Sequence, residues 1–440
     1  MLETQLKQAR QVLEDNWNGS FTQTSPSHSS LQLNWDAGFI AIGNAHFNMD
    51  RAEAELRHLF SAQWSNGLLP HAVFGEKKDD TCFPGPDFWQ AERSPHAPQS
   101  VPASGITAPP VFGFVLWRIY EIAQDEKRAR AFLQEMYPQV LAFHRYLYNF
   151  RDPLEEGLVY ICHPWEGVIA NSPSWAGALK RMNITTVATP LYDSKDMPTA
   201  METALYKDAP EDYSRCIDLI SLFRSLDYDS GAIYEQSPFL IQDPLFNSVL
   251  AWSNECLIQI GGLLGEDVSE VIEWDELTKY SINEKMWDEA RGMYNAFDLR
   301  NNELIHVHTS SGLMPLIGDV PTQDQAEKIL KTLESPMFGG KRNDLYNCPA
   351  YSLLAKDIDY QGFWRGSVWI NLNWLLFHGL QRYEMYEMAE RIRQDSLELL
   401  SGRGFCDYFD PRKGVSQPTT HEAPRSSCSA ALCIDLLASN

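Results

Sequence analysis

The sequence predicts an all-α fold, an (α/α)6 barrel with long loops at its active end, and three observations predict it. Apolar residues recur at i, i+3, i+4 and i+7 in segment after segment, and few stretches alternate as strands do. Amphipathic segments rich in Glu and Arg alternate with nearly uniform apolar or aromatic ones, as an outer ring of half-wet helices around buried inner helices requires. Between the helices lie long connections of unusual composition, and loops above about 15 residues in a compact domain are usually functional.

In chain order, the helical period marks residues 2–17, 50–62, 109–124, 127–150, 210–226 and 243–264, then 268–296, 322–333, 364–383, 385–401 and 427–437. The first of these carries mixed charge where a secretory signal needs an apolar core, so it reads as an ordinary amphipathic helix. The stretch 364–377 is the opposite extreme, nearly apolar throughout, and reads as an inner helix. Six outer and six inner helices of roughly 11–14 residues, with their loops, come to about 400 residues. Residues 1–440 are therefore expected to be one barrel domain with insertions near 66–105 and 161–201. An α-solenoid is the runner-up, but no repeat of fixed period is visible.

Composition narrows the function. Lys plus Arg number 36 against 59 Asp plus Glu, a net charge of −23, and no basic stripe is segregated, which argues against nucleic acid and anionic membrane as partners. No run of about 18 apolar residues occurs. The eight cysteines are scattered without a C-x-x-C pair, so reduced thiols in a cytoplasmic protein are expected rather than disulfides or structural zinc. His306 and His308 lack a nearby Cys or carboxylate in sequence, so neither a metal nor any other cofactor is expected. A small-molecule substrate is the partner that remains, and a homo-oligomer stays open.

P-loop, dinucleotide-binding, nucleophile-elbow and zincin signatures are all missing. Present instead are segments that set an aromatic residue, Trp in four of the five, beside a carboxylate or a cation: Asn34-Trp35-Asp36, Asp87-Phe88-Trp89, His163-Pro164-Trp165-Glu166, Phe363-Trp364-Arg365 and Asp407-Tyr408-Phe409-Asp410-Pro411. Aromatic platforms with carboxylates are what a sugar site needs, because pyranose faces stack on rings while acids handle hydroxyls and protons. Any one such Trp is more often a packing residue, but the five segments together point to a site.

At these same segments the chain resembles the mannosylglycerate and glucosylglycerate hydrolases of glycoside hydrolase family sixty-three. The resemblance runs nearly end to end through Trp35-Asp36-Ala37 with Phe39-Ile-Ala-Ile-Gly43, Asn66-Gly67 to Pro70-His71, Ser104-Gly-Ile-Thr107, His163-Pro-Trp-Glu166, Asn171-Ser-Pro173, Ser311-Gly-Leu-Met-Pro-Leu316, Trp364-Arg-Gly366, Trp369 and Phe409-Asp-Pro411. It implies an (α/α)6 barrel and an inverting, metal-free α-glycosidase with an Asp acid and a Glu base. It also implies substrate-binding roles for Trp35, Trp165, Trp364, Arg365, Trp369 and Tyr408.

The departures are concentrated in the catalytic motifs. The family's acid motif, Trp-Glu-Ser-Gly-x-Asp-Asn-Ser-Pro, is Trp165-Glu166-Gly167-Val168-Ile169-Ala170-Asn171-Ser172-Pro173 here, with Ala170 at the acid position. The base Glu becomes Asp407, withdrawing the carboxylate by up to about 1.5 Å. Two substrate-binding Gln residues become Ala108 and Ser426, and the Trp near the C-terminus becomes Cys428.

Three readings follow. Inverting hydrolysis needs an acid for the leaving oxygen and a base about 6.5–9.5 Å away, so losing the acid favours an enzyme repurposed for cyclisation, isomerisation or elimination on a less polar molecule. Asp407 would then be the proton acceptor, with Asp36 or Glu166 as the second ionisable group. The second reading is an α-glycosidase acting on mannosyl- or glucosylglycerate, either with its acid changed to Ala or with Glu166 as substitute donor, one helical turn from Ala170. The third is a catalytically dead metabolite-binding protein.

Overall fold

The computed structural model describes residues 2–25, 31–75, 83–184, 210–413 and 425–439. Twelve helices organise them. They are α1 (Leu2–Asp15), α2 (Asn34–Ala45), α3 (Met49–Phe60), α4 (Phe112–Ile122), α5 (Glu126–Arg151), α6 (Pro210–Ser225), α7 (Pro244–Leu264), α8 (Ser269–Met286), α9 (Gln323–Leu333), α10 (Ile370–Arg382), α11 (Tyr386–Arg403) and α12 (Ser427–Ala438). A nine-residue 3-10 helix, Ser310–Gly318, completes the set.

Six of these elements close a ring: α2 packs on α4, α4 on α7, α7 on the 3-10 helix, that helix on α10, α10 on α12, and α12 back on α2. Outside them α1 lies against α12, α3 against α2, α5 against α4 and α7, α8 against α7, α9 against the 3-10 helix, and α11 against α10. This is the (α/α)6 barrel that the sequence predicts. Helix α6 does not belong to either ring. It packs on two short helices, Pro86–Trp89 and Ala176–Lys180, which lie in the two long insertions.

Two inner-ring elements carry no helical periodicity. In α2, NWDAGFIAIGNA, every residue but Asp36 is buried, so no polar face exists to set a period. The ring also demands close approach there: a Cβ on Gly43 would lie 2.4 Å from Cβ of Ala431, so only glycine lets α2 and α12 meet. In Ser310–Gly318 every residue is buried, and Pro315 removes a backbone donor that a regular α-helix would use. The apolar stretch at 364–383 divides instead into a short 3-10 turn (Phe363–Arg365), a strand (Val368–Trp369) and α10. The period through 268–296 likewise ends at Met286, where the chain turns into two short strands.

Short antiparallel strands frame the N-terminal ends of the inner helices. Leu31–Leu33 pairs with Ala72–Phe74 ahead of α2, and Val368–Trp369 pairs with Tyr408–Phe409 ahead of α10. Side-chain caps fix where the helices begin: Asp243 accepts from the Phe246 N–H on α7 and Ser426 from the Ser429 N–H on α12. Such a cap is worth about 0.5–2 kcal/mol. The seven cysteines among the described residues are buried and unbonded to one another, while Cys82 lies outside those residues. No described helix is long and apolar enough to cross a membrane.

One buried carboxyl in this framework makes a pH-dependent contribution. Glu55 of α3 is fully buried, accepting from the Thr22 N–H at 2.7 Å and from Gln32 Nε2 at 2.7 Å. Burial nevertheless pushes it up from 4.5 to about 7, with Asp36 adding to the push. Because the folded value is the higher, the folded state holds the proton more tightly. The associated stability is therefore full below about pH 4.5 and lost as pH rises through 7. Unfolding of Glu55→Gln followed between pH 4.5 and 8 is expected to lack a decline of a few kcal/mol that the parent shows; parallel profiles would refute this account.

Candidate functional site

The N-terminal ends of α2 and α10 and the residue ahead of the Tyr408–Phe409 strand meet at one cavity, with about 640 Å³ of empty space counted to its open mouth. Its chemistry is best followed element by element. The β-pairing of Leu31–Leu33 delivers Trp35 and Asp36 into the first turn of α2, where the helix N-terminus favours a carboxylate. Asp36 Oδ2 also accepts from Thr24 Oγ1 at 3.2 Å.

The loop after α5 supplies the next wall. Pro164–Gly167 forms a 3-10 turn whose Trp165 lines the cavity, followed by Val168 and Ala170. Val168 has φ 55°, in the left-handed region that a β-branched residue avoids. This is the position at which the resembling family's motif carries Gly, a residue that takes this conformation without strain. Ala170 presents only a methyl group to the cavity.

Trp364 and Trp369 form the third wall, stacked with centroids 3.5 Å apart and planes 8° from parallel. Tyr408 backs Trp369 at 5.0 Å. Asp407 enters just before the Tyr408–Phe409 strand and is the base candidate in the lining. Its Oδ1 accepts from the hydroxyl of Ser426 and, at 3.5 Å, from Ser429 Oγ. Ser426 thus caps α12 and holds Asp407 at once. Three residues of these walls, Trp35, Trp165 and Trp364, carry buried indole N–H groups that find no protein acceptor.

Glu166 does not reach this cavity. It is fully buried and accepts from Arg151 through Nη1 at 3.0 Å and Nη2 at 2.8 Å, from the Cys162 N–H at 2.7 Å and from the Thr107 N–H at 3.1 Å. Burial alone would raise its pKa, but the Arg151 guanidinium and the two backbone donors hold it below the ordinary carboxylate value. A carboxylate with every lone pair engaged and its pKa depressed is no proton donor. The turn also ends at Gly167 with Val168 left-handed, so Glu166 and Ala170 do not share a helical face. The expectation of Glu166 as a catalytic group is corrected accordingly.

Arg365 is likewise outside the lining, its guanidinium paired with Asp357 at 2.6 Å. Ala108 is fully buried behind the wall, where its side chain stops short of the cavity. Trp89, from another of the flagged segments, donates to the Pro84 carbonyl at 3.0 Å in the core. His306, set aside as a metal ligand, sits 3.1 Å from Asp288, and no group of three His, Cys, Asp or Glu side chains among the described residues is placed to hold a metal. Sequence reasoning did not single out Leu33, His71, Val168 or Asn371, which also line the cavity. The signal for Asn371 was available, as a polar residue in the apolar run after Trp369; for His71 it was the matched Pro70-His71 pair.

Comparison with known proteins places the sequence and the fold in a family. The family model described as mannosylglycerate hydrolase MGH1-like glycoside hydrolase domain matches residues 29–422. A mannosylglycerate hydrolase from Rubrobacter radiotolerans is 37% identical over 438 residues, covering 99% of this chain and 97% of that protein. A glucosylglycerate hydrolase from Mycolicibacterium hassiacum is 31% identical, covering 92% of each. The crystal structure of the GH63 mannosylglycerate hydrolase from Thermus thermophilus in complex with Tris and D-glycerate superposes with a TM-score of 0.86 at 35% identity, covering 98% of this chain and 99% of that one. With its fold and its sequence matched over nearly their whole length, the chain belongs to the mannosylglycerate hydrolase MGH1-like glycoside hydrolase family.

Proposed function

We propose that the cavity binds an α-glycoside of glycerate, with a mannosyl or glucosyl group stacked among Trp35, Trp364 and Trp369, and that Asp407 activates water for inverting hydrolysis. The observation that carries this reading is Asp407 itself, a carboxylate in the cavity wall gripped by Ser426 and Ser429. The relatives named above are hydrolases of glycerate glycosides, which supports this chemistry over the cyclisation, isomerisation or elimination that the altered motifs first suggested. The acid half of the reaction is the weak half, because Ala170 can give no proton to a leaving oxygen. Turnover of the glycerate glycoside is therefore slow, while a substrate whose leaving group needs no proton escapes the defect.

The test follows from that asymmetry. α-Mannosyl or α-glucosyl fluoride, which expels fluoride unaided, is expected to be hydrolysed with inversion, and Asp407→Asn to lower that rate by about 10²-fold or more. Ala170 also suits a binding protein without turnover. That reading predicts no fluoride release and glycoside affinity indifferent to Asp407→Asn, and either result would remove the base role.

A further inference from the structure

A second cavity lies along α4, α7 and α10 toward their C-terminal ends, with about 690 Å³ of empty space counted to its open mouth. Along α10 its lining runs from Trp374 to Arg382, about 4.5–16 Å beyond Asn371 at 1.5 Å per residue. Its floor is aromatic: Trp252 stacks on Phe114 at 4.2 Å with planes 15° apart, and Trp374 and His378 lie edge to face at 4.2 Å. Trp117 and Trp252 are half-buried, so their rings are open to whatever enters.

The polar groups of the rim are mutually compensated. Arg118 pairs with Asp435 at 3.0 Å and with Glu121 at 3.4 Å, while Arg382 and Lys279 both hold Glu255. Two arginines and two glutamates in the lining leave no net charge, so an ion entering would have to displace an existing partner. His378 is neutral, since burial pushes it down to about 4, and its Nε2 is buried without a protein partner. Open indole faces, a neutral imidazole short of one hydrogen bond and charge pairs with spare lone pairs and N–H groups match an uncharged molecule carrying many hydroxyls.

We infer that this second cavity binds a neutral monosaccharide, a hexopyranose stacked on Trp252 and hydrogen-bonded to His378 and the Glu255–Arg382 pair, separately from the cavity that holds Asp407. The site stands on its own geometry and does not depend on hydrolysis.

Calorimetric titration of the whole protein with D-glucose and with D-mannose tests it, using Trp369→Ala to disable the first cavity. The expected result is saturable binding that persists in Trp369→Ala and weakens at least tenfold when Trp252→Leu or His378→Leu is added. Trp117→Ala, at a half-exposed position of the rim, serves as a variant that leaves the packed floor intact and is expected to weaken binding several-fold. Binding abolished by Trp369→Ala alone would overturn the inference. So would residual binding indifferent to Trp252→Leu, His378→Leu and Trp117→Ala.

Discussion

Ala170→Asp is expected to raise hydrolysis of mannosyl- or glucosylglycerate by about 10²–10⁴-fold, the usual worth of a positioned general acid. The cavity is prepared for such a group. Position 170 lies in its lining and is 5% exposed, among residues that include Trp35, Trp165 and Trp364. A carboxyl introduced among these aromatic walls is poorly solvated, which raises its pKa towards the range where it stays protonated and can donate. The backbone two residues before it is held left-handed, with Val168 at φ 55°, where the family's motif has Gly. Adding Val168→Gly relieves a strained residue worth about 1–3 kcal/mol and is expected to firm the new acid's placement. Asp407→Glu in the same background extends the base by a methylene towards the water it must activate. Released sugar, read as kcat/KM, is the measurement. If Ala170→Asp stays inert while the glycoside still binds, the hydrolytic reading of this site fails.

Glu166→Gln is expected to destabilise the fold by about 3–5 kcal/mol, the cost of leaving a buried charge without its partner. The pair is closed from solvent, with Arg151 at 4% and Glu166 at 0% side-chain exposure. An amide in place of the carboxylate turns an N–H group towards guanidinium or backbone donors that need an acceptor. Three segments depend on this carboxylate: the end of α5 through Arg151, the loop before α4 through Thr107, and the strand end at Cys162. Denaturant unfolding measures the loss, and replacing both Glu166 and Arg151 by Met is expected to recover part of it, since no lone charge then remains. The pH dependence has a definite sign. Glu166 titrates lower in the folded state, so its contribution is present above the unfolded carboxylate value and falls away as pH drops through the folded one. A Glu166→Gln protein as stable as its parent would refute the account.

The two expectations share a cause. Glu166 and Ala170 are four residues apart, yet one is paired with Arg151 behind the wall and the other lines the cavity. Helices with one wet face were legible at once: α5 and α9 show their period because their outer sides keep Glu, Lys and Arg in water while the inner sides pack. Helices α2 and Ser310–Gly318 were not, because a segment buried on every side has no polar face to mark its turns. Helix α6 has the right period but packs on loop helices rather than a ring, a distinction that periodicity cannot make.

The site divides in the same way. The sequence by itself determined the chemical inventory: indoles at 35, 165, 364 and 369, a methyl at 170, and a carboxylate one methylene short at 407. Only the tertiary structure decided which carboxylates line the cavity, because that depends on partners distant in the chain. Arg151 withdraws Glu166 and Arg412 engages Asp410, whereas Ser426 leaves Asp407 in the cavity wall. A charged group is drawn out of a site by the nearest opposite charge, and sequence spacing does not say where that charge will fold.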